Sequence, residues 1–451
     1  VYQISIKKMK KNFVLAALSL CTSFVFAQEF TLKEAIDYAI VNNANHKNVI
    51  IDEQIADMKK KEITGMGLPQ IGASVDNQDF LKIPTSLIPA KAFDPKAPAD
   101  MYIPVQFGIQ YNMSAGVQVS QLIFNSDYIV ALEASRSYME LAKKNVERSK
   151  VDVTVAVTKA YYFVLVTKER ASLLDVQVER IKKLLGEMQA MNQNGLVEKL
   201  DVDRITLTYN NLLSEKDKVA RLMEMTTYVL KFQMGLKMES PITLKDVLNL
   251  NAEVQDAAGV SGKFDYGVRA DYSMAQLQLK MNQLELKRNN MKWMPTLAAY
   301  GSFSENAMRP TYTFFDFSKT WYPTGLVGIK MSIPVWDGGQ TYFKKQQARL
   351  NVVKSENSIA YIENAIDMEI QNSLIVYKNA VQSLSSQKAN MKLAEEVFTV
   401  SKVKYEQGLG SVLEVINGES SLKESNVNYY TAMYDYMIAK TDYERATGII
   451  K

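Results

Sequence analysis

The sequence predicts a mainly α-helical chain with a minority of β structure, built from one unit that occurs twice. Three observations predict it. The prolines, at 69, 84, 89, 95, 98, 104, 241, 295, 310, 323 and 334, leave 105–240 and 335–451 free of helix breakers. Short stretches beside those prolines alternate apolar and polar residues, the period of a strand. The phrase "NGLVEKLDV" (194–202) returns as "QGLGSVLEV" (407–415), 213 positions on.

At the N-terminal end, basic "KKMKKN" (7–12) precedes apolar "FVLAALSLCTSFVFA" (13–27), and Val25-Phe26-Ala27 sets a small residue before Gln28. A signal peptide over 1–27, and hence export, is expected. Fifteen residues fall short of the roughly 20 that a spanning helix needs. Leu20 directly before Cys21 is unsuited to lipoprotein cleavage. Without 1–27, Lys+Arg falls from 53 to 49 and equals the 49 Asp+Glu, so no global basic field is left for nucleic acid. Cys21, the one cysteine, leaves with the signal and removes disulfide and thiol chemistry. No later segment has eighteen consecutive apolar residues. Any membrane crossing must therefore be made by strands.

The first unit is expected over 28–237. It begins with a short helix, 31–64, followed by a strand hairpin, 69–124. In "FGIQYNMSAGVQVSQ" (107–121), Ile109, Tyr111, Met113, Ala115, Val117 and Val119 alternate with Gln110, Asn112, Ser114, Gly116, Gln118 and Ser120. "PQIGASV" (69–75) is its partner, with 76–106 as a long connection. Tyr111, Trp321, Tyr322 and Trp336 could supply interfacial aromatics. From Ser126 to Asn194 a single glycine, Gly186, interrupts 69 residues, so a helix is expected over 126–194 and a second over 197–236. At about 1.5 Å per residue the first is on the order of 100 Å long, too long for a compact globular domain. Leu174, Val178, Ile181, Leu185 and Met188 step by 4, 3, 4 and 3, as do Leu393, Val397 and Val400 over a shorter run; both are coiled-coil seams.

After a linker at 238–268 the order repeats over 269–451: short helix (270–293), hairpin 295–336, helices 338–407 and 411–447. The second hairpin joins "PTLAAYGSF" (295–303) to "WYPTGLVGIKMSIPV" (321–335), where Leu326 breaks the alternation, across a loop at 304–320. Four strands cannot close a barrel, and an open edge in hydrocarbon leaves N–H and C=O groups unpaired at several kcal/mol each. Eight or more strands are needed, so other copies of the chain must complete the wall. A barrel assembled in this way and continued by long helices is a conduit.

In these residues the sequence resembles the TolC-type outer-membrane efflux proteins. The resemblance covers essentially all of 28–451. It is carried by "TLKEAIDYAIVNN" (31–43), "LPQIGAS" (68–74), "MPTLAAY" (294–300), "SQLIFN" (120–125), "SIPVWDGG" (332–339) and the two glycine phrases, in order and duplicated. It implies a homotrimer in outer-membrane lipid, with a twelve-stranded barrel, four strands per protomer, continued by an α-helical coiled-coil barrel through the periplasm. The partners implied are a periplasmic adaptor (membrane fusion) protein and an inner-membrane transporter of RND or ABC type. The glycine phrases match the turns at the periplasmic tip, so Gly195, Leu196, Gly408 and Leu409 are the implied docking residues. Asp201 and Tyr405 match positions that hold closed members shut. The arginine that completes that link elsewhere is Gly410 here, so the same three-residue latch is not expected. Glu414 matches an acid lining the constriction, and Asn417 stands where a second acid is found. Around a threefold axis, three Glu414 carboxylates would repel one another and attract cations.

No enzyme is expected. Catalysis needs a positioned base, nucleophile or metal site, and the chain has one histidine, His46 in "NNANHKN", and no HExxH, GxSxG or phosphate loop. His46 is expected at the surface, and neither metal nor cofactor is expected. The competing possibility is an exported coiled-coil structural or adhesive protein without a pore, which has no need of two alternating hairpins. A periplasmic adaptor would carry one helical hairpin and lipoyl-like β domains, which the sequence lacks.

Overall fold

A computed structural model describes residues 28–248, 264–316 and 318–450; the expected signal segment 1–27 and the middle of the expected linker, 249–263, lie outside them. The fold is mostly helical with some sheet. In chain order the elements are β1 (Gln28–Phe30), α1 (Leu32–Asn42), α2 (Ala44–Gly65), β2 (Gln70–Asp79), β3 (Thr85–Pro89), β4 (Tyr102–Gln106), β5 (Tyr111–Phe124), α3 (Ser126–Gln193) and α4 (Lys199–Met234). They continue with β6 (Ile242–Leu244), α5 (Ala270–Asn290), β7 (Thr296–Arg309), β8 (Tyr322–Ser332), α6 (Gln340–Glu406) and α7 (Val412–Ala446). Two compact units divide the described residues: 28–51, 144–248, 264–273 and 360–450 form one, 52–143, 274–316 and 318–359 the other.

The second of these units holds a four-stranded antiparallel sheet in the order β2-β5-β7-β8. The two hairpins thus join through β5 and β7, with Val117 opposite Phe303 near the middle. A register shift between Leu122 and Phe124 marks the end of β5. Helix α5 is tied to α3 by Lys287 and Glu133 (2.7 Å) and to α6 by Asn282 Nδ2 donating to Ser355 Oγ (2.6 Å). The stretch 76–106, expected as a connection, contains a further two-stranded sheet, β3 with β4. Pro89 and Pro104 lie in those strands, and a two-stranded ribbon tolerates them because each strand has a free edge.

In the first unit the helix expected over 31–64 is two. Thr31 and Glu34 form a capping box: the Glu34 N–H donates to Thr31 Oγ1 (3.3 Å) and the Thr31 N–H to Glu34 Oε2 (2.8 Å). The helix breaks at Asn43, whose backbone is extended (ψ 124°). Asn43 Nδ2 donates to the Gln233 carbonyl (2.9 Å), while its Oδ1 accepts the N–H groups of Asn45 (3.0 Å) and His46 (3.1 Å), capping the start of α2. The break turns His46 inward, contrary to the surface position expected of it. It is 2 % exposed, with Nδ1 2.9 Å from Ser149 Oγ. Burial, then the Lys150 charge, lowers its pKa and so favours the neutral ring. Strand β1 pairs in parallel with β6, and the Tyr161 hydroxyl donates to Asp246 (2.8 Å), which also accepts the Leu32 N–H (2.8 Å).

The seam at Leu174, Val178, Ile181 and Met188 is buried against Ile205, Leu212, Phe398, Val412 and Val415. The run at Leu393, Val397 and Val400 is not: all three are exposed, and α6 packs within the protomer through Ala394 and Phe398 instead. The shift is one residue, possible because this part of α6 is apolar on two adjacent faces.

Candidate functional site

The register of the sheet sorts its residues by chemistry. Because the side-chain period is two, residues paired across neighbouring strands share a face. On one face lie Ile71, Ala73 and Val75 of β2, Ala115, Val117 and Val119 of β5, Phe303 and Gly301 of β7, and Val327, Ile329 and Met331 of β8, with Asn77, Gln121 and Glu305 as polar exceptions. The other face carries Ser74, Asp76, Gln118, Ser120, Ser302, Ser304, Thr324 and Lys330. Leu326, which breaks the alternation in the sequence, sits on this polar face opposite Ser302. The apolar face is uncovered: Val327 is 90 % exposed and Ile71 73 %. Strands β2 and β8 flank the sheet, each with one edge unpaired among the described residues. The strands have 10, 14, 14 and 11 residues, enough to cross a bilayer on a tilt, which takes about 9–11. Among the expected interfacial aromatics, Tyr322 and Trp336 are exposed, while Tyr111 packs edge-on to Tyr312 and Trp321 beside Phe314. No described helix is long and apolar enough to cross a membrane.

The two glycine phrases fold alike. Helix α3 ends with Gly195 at φ +73°, the Leu196 N–H donating to the Met191 carbonyl (2.9 Å) and the Gly195 N–H to that of Asn192 (2.9 Å). Helix α6 ends with Gly408 at φ +72°, with Leu409 donating to Lys404 (2.9 Å) and Gly408 to Tyr405 (2.9 Å). This is the Schellman arrangement, whose left-handed residue is best served by glycine. Each turn leaves an uncovered leucine at its apex, Leu196 70 % and Leu409 77 % exposed.

The residues matched to the constriction flank these turns. Ser411 Oγ accepts the Glu414 N–H (3.3 Å) and starts α7. Glu414 and Asn417, one turn apart, are both exposed. Tyr405 points into the protomer, its hydroxyl against the Met188 sulfur of α3. Burial, then the Asp201 and Glu187 charges, raise its pKa. Asp201 in turn pairs with Arg204 one turn along α4 (3.4 Å), a partner legible as an i,i+3 acid–base pair but not singled out in the sequence. Tyr405 therefore feels the Asp201 charge within one copy without a hydrogen bond to it, while Glu414 and Asn417 make no side-chain bond to either.

A further acid was missed. Glu419, two residues beyond Asn417 and on the buried side of α7, is 1 % exposed and lies 3.7 Å from Arg180 of α3. Among the described residues no group of His, Cys, Asp and Glu could hold a metal ion.

Residues 268–448 match the family described as Outer membrane efflux protein. The chain is similar to the outer membrane protein TolC of Escherichia coli K12, 20 % identical over 97 % of this chain and 86 % of that protein. TolC of Salmonella enteritidis is 19 % identical over 98 % of this chain and 87 % of its own length. Among solved structures, the CmeC outer membrane channel of Campylobacter jejuni superposes with a TM-score of 0.73 at 16 % identity, over 92 % of this chain and 85 % of that one.

Proposed function

We infer that this chain, a TolC-type outer-membrane efflux protein by residues 268–448 and by similarity over nearly its whole length, is the outer-membrane exit channel of an efflux or secretion pathway. It is a passive conduit rather than an enzyme. Two copies of one unit, 28–237 and 269–451, build each protomer. Three protomers, each contributing β2, β5, β7 and β8, close a twelve-stranded barrel in the outer membrane, and their long helices line a channel through the periplasm. The turns at Gly195-Leu196 and Gly408-Leu409 dock a periplasmic adaptor, through which an inner-membrane transporter of RND or ABC type delivers cargo. Asp201, Tyr405, Glu414 and Asn417 surround the constriction.

One observation carries this reading: a sheet mainly apolar on one uncovered face, mainly polar on the other, and unpaired at both edges among the described residues. In water such a face aggregates; in a bilayer it is satisfied once the edges pair between copies. The purified protein should run as a heat-modifiable oligomer and conduct ions in a planar bilayer. A detergent-independent monomer that passes no current would end the proposal.

Two substitutions probe the named residues. Glu414→Gln removes three converging carboxylates at once, so anion permeability should rise several-fold and divalent block should weaken. Unchanged selectivity takes Glu414 away from the narrowest point. Gly195→Val and Gly408→Val strain exposed turns whose added Cβ meets nothing within 4 Å. Oligomers should still form while export falls about tenfold, the size of one lost anchor contact. Normal export would move the docking surface elsewhere.

A further inference from the structure

Glu419 is enclosed without the hydrogen bonds that would stabilise its charge. Neither carboxylate oxygen has a partner among the described residues. Arg180 stands 3.7 Å away, too far for a hydrogen bond, with its guanidinium over the Phe398 ring at 4.9 Å. Val412, Val415, Glu419, Leu422, Asn426 and Tyr429 are all buried and step by 3, 4, 3, 4 and 3, so the acid fills a seam position of α7. The helix passes close to α6 here: a Cβ on Gly418 would come 3.2 Å from Phe398 Cα. An acid is not required at this depth. Thr206, 213 positions earlier, is half-buried and satisfies its hydroxyl on the Val202 carbonyl at 2.8 Å.

A carboxylate in this position loses its hydration and gains one cation at a distance, whereas the neutral acid loses far less. Burial therefore pushes the carboxyl up to about 7, with Arg180 pulling the other way. Around it, Arg180 is the charged group presented by α3; Glu395 and Glu396 of α6 and Glu414 of α7 are exposed, and Lys423 is half-buried. We propose that Glu419 is a proton-controlled latch on the first turns of α7, which packs them against α3 and α6 when uncharged and favours their parting when ionised. Those turns carry Glu414 and Asn417, so the consequence for the pore rests on the channel reading above. The packed arrangement binds the proton more tightly than the hydrated one. Its advantage is full below the ordinary value of 4.5 and is lost as pH rises through about 7.

The test is hydrogen–deuterium exchange on the purified oligomer between pH 6 and 8, corrected for intrinsic exchange. Amides of 412–423 should open roughly tenfold more readily at pH 8 than at pH 6. Glu419→Gln should abolish that dependence. Arg180→Gln, which keeps the acid and removes its counter-charge, should move the midpoint to higher pH. Should Glu419→Gln fail to assemble, the Arg180→Gln midpoint decides alone. A pH profile unaltered by Glu419→Gln, or a midpoint unmoved by Arg180→Gln, overturns the latch. Exchange requires no ion flow, so a protein that passes no current would remove the channel reading and leave this one to be decided on its own.

Discussion

Val117→Arg is expected to abolish assembly in the outer membrane, while Gln118→Arg, one residue on, is expected to assemble. Val117 lies near the middle of β5, opposite Ala73 and Phe303 on the apolar face; Gln118 lies opposite Gly72 and Ser302 on the polar face. An arginine facing lipid at the bilayer midplane costs about 2–4 kcal/mol, and the proposed trimer would carry three, roughly 6–12 kcal/mol in all. That is comparable to the entire stability of an ordinary domain, about 5–15 kcal/mol. On the polar face the same side chain meets water inside the proposed barrel. The measurement is the share of each variant recovered from the outer-membrane fraction as a heat-modifiable oligomer. Equal assembly of both variants would show that the sheet does not face lipid, and loss of Gln118→Arg alone would turn the sheet inside out. Neither result can be produced by a general intolerance of β5 to charge, because the two sites are neighbours in one strand.

What could be read from the sequence is what local chemistry decides. Proline-free tracts permit long helices, a left-handed glycine with a following leucine ends them, and alternation marks strands. All of these act over a few residues. The features that escaped depend on distant partners. The break at Asn43 needs the Gln233 carbonyl, 190 positions away, and once it forms, His46 is carried inward despite its polar neighbours. Strand β1 has three residues and pairs with β6 across more than two hundred positions, too short to show any period. Strands β3 and β4 contain Pro89 and Pro104, which argue for a loop until a free edge is supplied. In α6 the apolar run 393, 397, 400 competes with 394, 398, and the partner helix rather than the pattern chooses the latter. At the candidate constriction, Glu414 and Asn417 were identified by resemblance, since an exposed acid at a helix start is ordinary. Glu419 was open to direct inference. It occupies a seam position in a 3,4 repeat of buried residues, and following that repeat through α7 would have found it.

Gly235→Val is expected to destabilise the protein by several kcal/mol, and Gly186→Ala to change stability slightly in the opposite direction. Gly235 ends α4 at φ +72°, with the Leu236 N–H donating to the Lys231 carbonyl (2.9 Å). A Cβ there would stand 2.5 Å from the Asn42 carbonyl oxygen, 2.8 Å from its carbon and 3.1 Å from the Asn43 nitrogen. These are backbone atoms of the turn that separates α1 from α2, and Asn43 is bound back to Gln233, so the obstacle cannot swing aside as a side chain would. A β-branched residue held left-handed costs about 1–3 kcal/mol, and forcing apart packed backbone adds about 1–3 kcal/mol more. Gly186, by contrast, lies inside α3 with helical geometry and nothing within 4 Å of an added Cβ. Alanine there should add about 0.5–1 kcal/mol by restricting the unfolded chain. Urea unfolding of the purified protein reads both. A wild-type midpoint for Gly235→Val would mean that the α1–α2 turn yields, in which case the burial of His46 would have to come from packing on Ser149 rather than from the backbone contact at Gly235.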